Sequence, residues 1–86
     1  MFYYVYLILL SNGKIYSGYS SDLKRRYQEH LNGKVNSTKK YRPHVLIFYE
    51  AFLNQRDAER RERYFKSAKG KKMIRVILRE YFAAIV

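Results

Sequence analysis

The chain of 86 residues contains no cysteine, a single proline and only seven acidic residues. Without cysteine it can form neither a disulfide framework nor a thiolate metal site, and this lack fits a reducing cytoplasm, where we expect the protein. Residues 1–10 are apolar but have no basic leader and no small-residue cleavage site, so they predict no signal peptide. They are also far fewer than the ~20 apolar residues that a membrane span needs, so no membrane partner is expected.

The length predicts one domain, residues 1–86. At this size only about 60% of the surface of the unfolded chain can be buried, which leaves a modest core and no room for a second folded unit. No internal repeat, low-complexity segment or linker interrupts the sequence. The oligomeric state stays open, with a monomer as the default expectation.

Positive charge is the strongest compositional signal. Eighteen lysines and arginines against seven acids give a formal net charge of +11, well beyond what solubility requires. A field of that sign attracts polyanions, and a nucleic acid, with DNA first, is the expected partner. Two alternatives stay open: a solvated basic surface without a dedicated partner, and a basic partner of an acidic protein or of the ribosome.

The first third of the chain predicts a hairpin, with two strands and a tight turn at residues 3–10, 14–19 and Asn12-Gly13. Its first strand is an almost continuous apolar run, which is typical of a central strand. Pairing brings Tyr6 and Tyr16 near each other, because paired strands lie only ~5 Å apart. Whether the two side chains share a face depends on the register, which the sequence leaves open.

The rest of the chain alternates helix and strand signals. Ser20-Ser21-Asp22 supplies N-cap chemistry for a helix that ends at Asn32-Gly33. A basic loop, a strand and a charged helix are predicted at residues 34–43, 45–52 and 55–69. Gly70 is expected to break that helix before a last, amphipathic helix. The fold class is therefore α+β, a small three-stranded antiparallel sheet flanked by helices in the order β-β-α-β-α-α.

Glu62 is the most diagnostic single position. It lies four residues after Ala58 and three before Phe65, on the helical face that should turn toward the sheet. A carboxylate there costs several kcal/mol unless it is paired or binds a metal ion. Two interpretations stay open: a metal ligand, or a carboxylate at the rim of the core bonded to Arg61 or another arginine.

Arg26 and His30 are four residues apart and therefore share one helical face, beside Leu23 and Tyr27. A guanidinium suits a non-bridging phosphate oxygen, and a histidine can take or relay a proton near neutral pH. The alternative is a surface cation next to a histidine at the edge of the core. Tyr6 and Tyr16 alone say little, since a tyrosine acts as a base only if positive charge lowers its pKa of ~10.

Taken together, these residues resemble the GIY-YIG nuclease domain, which is named after its two motif triplets. Tyr4-Val5-Tyr6 corresponds to the first triplet, Tyr16-Ser17-Gly18 to the second. Leu23-Lys24-Arg25-Arg26 followed by His30 is similar to the helix with the family's arginine, and Ala58 to Glu62 to the segment with its metal-binding glutamate. The resemblance covers about residues 2–69. It is greatest to small stand-alone bacterial members related to the nuclease domain of the excision-repair incision subunit.

The resemblance implies a metal-dependent endonuclease that hydrolyses DNA phosphodiester bonds in repair or recombination, with structure-specific or weakly sequence-specific cutting. It implies one divalent cation, Mg²⁺ or Mn²⁺, bound by Glu62 and water. Arg26 would stabilise the transition state, and Tyr6, Tyr16 or His30 would help to activate water. Further contacts to nucleic acid are expected from Lys14, Gly18, Ser20, Lys24, Arg25, Lys34, Thr38, Lys39, Lys40 and Arg42.

Three positions depart from the family pattern. Tyr4 replaces the glycine of the first triplet, Ser17 replaces the isoleucine of the second, and Ile74 stands where many larger members have an asparagine. The missing glycine and the missing asparagine favour an alternative function, a catalytically idle nucleic-acid-binding module of the same fold.

Overall fold

The computed structural model describes residues 1–85 and confirms the α+β fold class and the element order β-β-α-β-α-α. The last helical segment is divided in two, and a short 3-10 turn, Lys39–Tyr41, precedes the third strand. The elements are β1 Tyr3–Leu9, β2 Ile15–Ser20, α1 Leu23–Leu31, β3 Val45–Phe52, α2 Gln55–Lys66, α3 Ala68–Ile77 and α4 Arg79–Ala84.

The apolar first strand, β1, is the centre of the sheet, whose strand order is β2-β1-β3 with both pairs antiparallel. Tyr6 of β1 lies opposite Gly18 of β2 and opposite Tyr49 of β3. The pairing with β3 shifts between Leu7 and Ile8. Strand β1 is paired on both edges and covered on both faces. Successive side chains of a strand point to opposite faces, so the whole apolar run can be buried.

The two faces of the sheet bury different clusters. Val5 and Leu7 pack with Ala58 and Phe65 of α2 on one face, and Ile74 of α3 joins them. Side chains from β1 and α1 pack on the opposite face: Tyr6, Ile8, Leu23 and Tyr27. The molecule is therefore a sheet between two helical layers, with α1 on the Tyr6 face.

Side-chain caps set the helix boundaries. Asp22 accepts a hydrogen bond from the backbone N–H of Arg25 at the start of α1, and Asn54 accepts one from Arg56 at the start of α2. Gly33, which has a φ of 73°, follows the end of α1 as predicted. A left-handed backbone at this place suits glycine, which has no Cβ to clash.

The predicted break at Gly70 is wrong. Helix α2 ends at Lys66, and Ser67 both closes it and caps α3, where its hydroxyl accepts a hydrogen bond from the Gly70 N–H at 3.1 Å. Gly70 lies inside α3 and is buried against the backbone of Tyr64, so that a Cβ there would collide with the Tyr64 carbonyl oxygen. The glycine permits close packing of α3 on α2 instead of ending a helix. The expected single last helix is also divided, at Leu78, into α3 and α4.

Candidate active site

Tyr6 and Tyr16 lie on the same face of the sheet, with ring centroids 6.3 Å apart. The residue opposite Tyr6 is Gly18, and a Cβ built there would lie 2.5 Å from the Tyr6 hydroxyl oxygen and 3.0 Å from the Tyr16 ring. Any larger residue would therefore displace one of the two tyrosines. Gly18 was expected to contact nucleic acid, which stays a prediction; the structure shows a steric role as well, because the glycine makes space for the Tyr6 side chain.

The His30 ring contacts the Tyr6 hydroxyl inside the core. Its side chain is fully buried, with Nε2 2.9 Å from the Tyr6 hydroxyl and Nδ1 2.8 Å from the hydroxyl of Thr38. The Thr38 hydroxyl donates to the carbonyl oxygen of Val35, so its oxygen is left to accept from His30. This network assigns the proton of neutral His30 to Nδ1 and makes Nε2 the acceptor for the Tyr6 O–H.

Thr38 was predicted to contact phosphate, and that prediction is wrong for this conformation. Its side chain is fully buried and holds the His30 ring from the opposite side to Tyr6. No local sequence pattern predicts this contact, because Thr38 lies in the basic loop after α1 and reaches His30 only through the tertiary fold.

Burial sets the protonation states of the pair. Desolvation, with smaller contributions from Arg26 and His44, lowers the pKa of His30 to about 4. Desolvation and the neighbouring Tyr16 raise the pKa of Tyr6 to about 12, although Arg26 opposes the shift. At neutral pH the pair therefore consists of a neutral phenol and a neutral imidazole.

Arg26 reaches the same centre from α1. Its Nη1 donates to the Glu29 carboxylate at 2.9 Å, and its side chain is 35% exposed. Glu29 and Tyr6 both raise the pKa of Arg26 further above its already high value. The guanidinium is permanently charged, partly open to solvent and close enough to Tyr6 to lower the pKa of that hydroxyl. It can therefore attract a phosphate group to the surface above Tyr6, whose own side chain is 1% exposed.

Glu62 is partly buried, with 20% of its side chain exposed, and its carboxylate forms an ion pair with Lys66 at 3.2 Å. Neither Arg61 nor another arginine is its partner in the described part of the chain, because Arg61 instead forms two hydrogen bonds with Glu50. The negative charge of Glu62 contributes to the raised pKa of Tyr6. The expected bond to an arginine is therefore wrong, because the partner is Lys66. The other interpretation, a metal ligand, is compatible with the placement of Glu62 near Tyr6.

The donor atoms around Glu62 limit the kind of cation that could bind there. Within residues 1–85 no three histidine, aspartate or glutamate side chains form a cluster, so a cation at Glu62 would have few protein ligands. Mg²⁺ and Mn²⁺ prefer oxygen ligands, and Mg²⁺ commonly keeps several waters while it binds one or two carboxylates and substrate phosphates. A partly exposed carboxylate that already holds the ammonium group of Lys66 fits such a cation.

The other predicted nucleic-acid contacts divide into two groups. Three of them already bind neighbouring groups. Ser20 forms hydrogen bonds with the Asp22 backbone, and Arg25 forms ion pairs with Asp22 and Glu29. Arg42 donates to backbone carbonyl oxygens. The lysines of the prediction are exposed and can reach a polyanion: Lys14, Lys24, Lys34, Lys39 and Lys40.

His44 lies beside the network of His30, although the sequence does not predict it there. Its ring lies 6.2 Å from that of His30 and 6.4 Å from that of Tyr27. Both of its ring nitrogens are buried, and neither has a hydrogen-bond partner among residues 1–85. The residue precedes β3 by one position, and no sequence pattern links it to α1.

The chain matches one family model and is similar to several bacterial proteins. The model of the family described as the GIY-YIG catalytic domain matches residues 2–75. A UPF0213 protein of Pediococcus acidilactici is 33% identical over 78 residues, which is 87% of this chain and 80% of the relative. UPF0213 protein YazA of Bacillus subtilis (strain 168) is 38% identical over 71 residues, 81% of this chain and 72% of the relative.

A solved structure is also similar. The solution NMR structure of a UPF0213 protein from Bacillus halodurans has a TM-score of 0.58 and 31% sequence identity, over 90% of this chain and 85% of that one. The names of these relatives specify no reaction and no ligand. Among residues 1–85, none of the helices has the length and apolar character needed to cross a bilayer.

Proposed function

The chain belongs to the family of the GIY-YIG catalytic domain, and on that premise we propose that it is a metal-dependent endonuclease that hydrolyses DNA phosphodiester bonds, in repair or recombination. The observation that supports this most is the joint placement of four groups. The buried Tyr6–His30 pair has the Arg26 guanidinium and the Glu62 carboxylate close enough for each to affect the pKa of Tyr6. Phosphodiester hydrolysis needs such a combination of a proton acceptor, a cation and an oxygen ligand.

In the proposed mechanism the reacting phosphate binds at Arg26, whose remaining N–H groups donate to a non-bridging oxygen. The Tyr6 oxygen accepts a hydrogen bond from the attacking water, because its own proton is directed to His30 Nε2. Since Tyr6 is only 1% exposed, this contact requires a small opening of the surface above it. The water proton passes to Tyr6 as the new P–O bond forms and the P–O bond to the leaving 3′ oxygen breaks. The Tyr6 proton passes to His30 in the same step, and the leaving 3′ oxygen takes a proton from solvent water. His30 then returns its proton through Tyr6 to solvent, because its low pKa favours the neutral ring.

His30 has no exposed surface, so it acts on water only through Tyr6 and is a positioning residue. Its low pKa keeps it neutral, and therefore able to accept a hydrogen bond, throughout the neutral pH range. Mg²⁺ or Mn²⁺ bound by Glu62 would stabilise negative charge on the leaving oxygen and favour ionisation of a nearby hydroxyl. Tyr16, whose ring is 5.1 Å from that of His30, is the second candidate for contact with the water.

The test compares the wild type with Glu62→Gln and Arg26→Ala on branched, nicked, single-stranded and duplex DNA, with and without Mn²⁺. We expect cleavage by the wild type that requires the metal, and a loss of at least 100-fold in each variant, in line with the removal of one transition-state contact. Glu59→Gln and Arg60→Ala are the matched controls on α2, because neither residue belongs to the site. Equal cleavage by Glu62→Gln and the wild type would refute the proposal.

A second candidate function, nucleic-acid binding without turnover, is favoured by Ile74. That residue is 2% exposed and packs in the core below α2, so it offers no polar group to the site. Calorimetric titration with Mn²⁺ separates the two functions. An idle binder has no need of a metal site, so saturable Mn²⁺ binding that disappears in Glu62→Gln supports the enzyme.

A further inference from the structure

Three aromatic side chains, two exposed and one half-buried, form a cluster beside the candidate active site. Phe2 and Tyr4 have ring centroids 6.5 Å apart, and Tyr4 and Tyr49 have centroids 6.0 Å apart in an edge-to-face arrangement. Phe2 is 46% exposed and Tyr49 is 55% exposed. Contacting aromatic rings that remain this exposed are unusual on a soluble domain and mark an interaction site. We name these three residues the aromatic platform.

The register of the sheet places the platform on the Tyr6 face. Tyr4 precedes Tyr6 by two residues on β1, and Tyr49 is the direct partner of Tyr6 on β3. Side chains two residues apart on a strand point to the same face and are about 7 Å apart. A group that contacts Tyr4 or Tyr49 is therefore one nucleotide step or less from a phosphate at Tyr6.

The platform borders an open cleft of about 770 Å³ between the sheet and the start of α1. Tyr4 and Tyr49 line the cleft together with Leu46, and α1 contributes Lys24, Arg25 and Tyr27. Asp22 also borders it, but its carboxylate is used to cap α1 and to pair with Arg25. The cleft thus combines aromatic surface with net positive charge at its α1 side.

We infer that the aromatic platform stacks an unpaired nucleobase adjacent to the phosphate that is cleaved, so that the preferred substrate is single-stranded or flapped nucleic acid. This inference rests on the proposed function, which supplies the phosphate at Tyr6. Aromatic side chains combined with a cationic groove bind single strands, because every base has a face on which a ring can stack. In a paired duplex the bases are stacked on one another, so the platform selects for strands that are already unpaired.

Binding without cleavage isolates the stacking contribution. Two fluorescent 12-nucleotide strands are compared by anisotropy in EDTA: oligothymidine, and a strand of the same length and charge in which the central residues are abasic. We expect wild-type protein to bind the thymidine strand about 5- to 150-fold more tightly, which corresponds to one stacked base. Tyr49→Ala should lower its affinity toward the abasic value and leave the affinity for the abasic strand unchanged.

Two further variants separate stacking from other effects. Tyr49→Phe keeps the ring and should retain the preference for bases, whereas Val76→Ala removes an exposed apolar side chain on α3, far from the platform, and should change neither affinity. Equal wild-type affinities for the two strands would overturn the inference. Two other results would assign the face to another occupant and overturn it equally: a wild-type dimer in light scattering that Tyr49→Ala makes monomeric, or binding to phosphatidylglycerol vesicles that Tyr49→Ala abolishes.

The outcome is separable from that of the proposed function. Base-selective binding in EDTA without any metal-dependent cleavage would sustain the platform and refute the nuclease. Metal-dependent cleavage with equal binding of the thymidine and abasic strands would sustain the nuclease and refute the platform.

Discussion

Acidification should destabilise the protein through one residue, His30. In the folded state burial lowers its pKa from 6.5 to about 4, and its Nε2 must accept the Tyr6 hydrogen bond. Because the folded pKa lies below the unfolded one, the stabilising contribution is complete above pH 6.5 and is lost as the pH falls toward 4. The slope is about 1.4 kcal/mol per pH unit for one proton, so the loss over this window is roughly 3 kcal/mol. That is a large fraction of the 5–15 kcal/mol by which such domains are stable.

Urea denaturation followed by circular dichroism at pH 7.5, 6.5, 5.5 and 4.5 measures this loss. His30→Gln removes the titrating group, so its free energy of unfolding should be lower at pH 7.5 but nearly independent of pH down to about 4.5. Glu29 does not interfere in this pH range. The pKa of its carboxyl is lowered from 4.5, mainly by its hydrogen bond with Arg26, so its contribution to the free energy of unfolding is lost only below about pH 4.5. Parallel pH profiles for the wild type and His30→Gln would refute the assignment of His30 as a buried neutral acceptor.

Three further substitutions test the site. Gly18→Ala should destabilise the protein by about 1–3 kcal/mol and reduce cleavage, because the new Cβ lies 2.5 Å from the Tyr6 hydroxyl; thermal unfolding and a cleavage assay measure both effects. Tyr6→Phe should cost about 1–3 kcal/mol, since it leaves His30 Nε2 buried without a partner, and should abolish cleavage; urea titration and single-turnover kinetics check it. Lys66→Gln should tighten Mn²⁺ binding about two- to fivefold in calorimetry, because it removes the ammonium group that competes for Glu62.

A different result would contradict each of these three predictions. Ser17→Ala, a small change on the same strand but the opposite face, is the control for Gly18→Ala, and equal effects of the two would exclude a specific contact with Tyr6. Full activity in Tyr6→Phe would move the contact with water to Tyr16. Weaker Mn²⁺ binding in Lys66→Gln would show that the lysine supports the metal site instead of competing for it.

Local signals predicted much of the fold. The continuous apolar run of β1, the Asn12-Gly13 turn and the β-branched residues of β3 are strong because each depends on neighbours in sequence. The strand predicted at residues 45–52 agrees with Val45–Phe52. The break between α2 and α3 was misplaced, since Gly70 is explained by its packing on Tyr64, a tertiary contact that no local pattern contains.

In the candidate site, too, local contacts could be predicted from the sequence and tertiary contacts could not. Helical spacing predicted that Arg26 and His30 share a face, because that follows from the geometry of one helix. The buried partnership of His30 with Tyr6 and Thr38 depends on β1, α1 and the following loop together, and only the structure reveals it. The ion pair of Glu62 with Lys66 is local, because the two residues are four apart on α2. The contact of Arg61 with Glu50 on β3 is tertiary, and the sequence therefore did not show that Arg61 would be unavailable to Glu62.

The central claim is that Glu62 binds a divalent cation next to Tyr6, Tyr16 and Arg26. Paramagnetic line broadening by Mn²⁺ in NMR spectra of the isotope-labelled protein tests it directly. We predict that the signals of these four residues broaden first and together, and that Glu62→Gln abolishes the effect. Broadening centred on another part of the surface, or equal broadening in Glu62→Gln, would contradict the account.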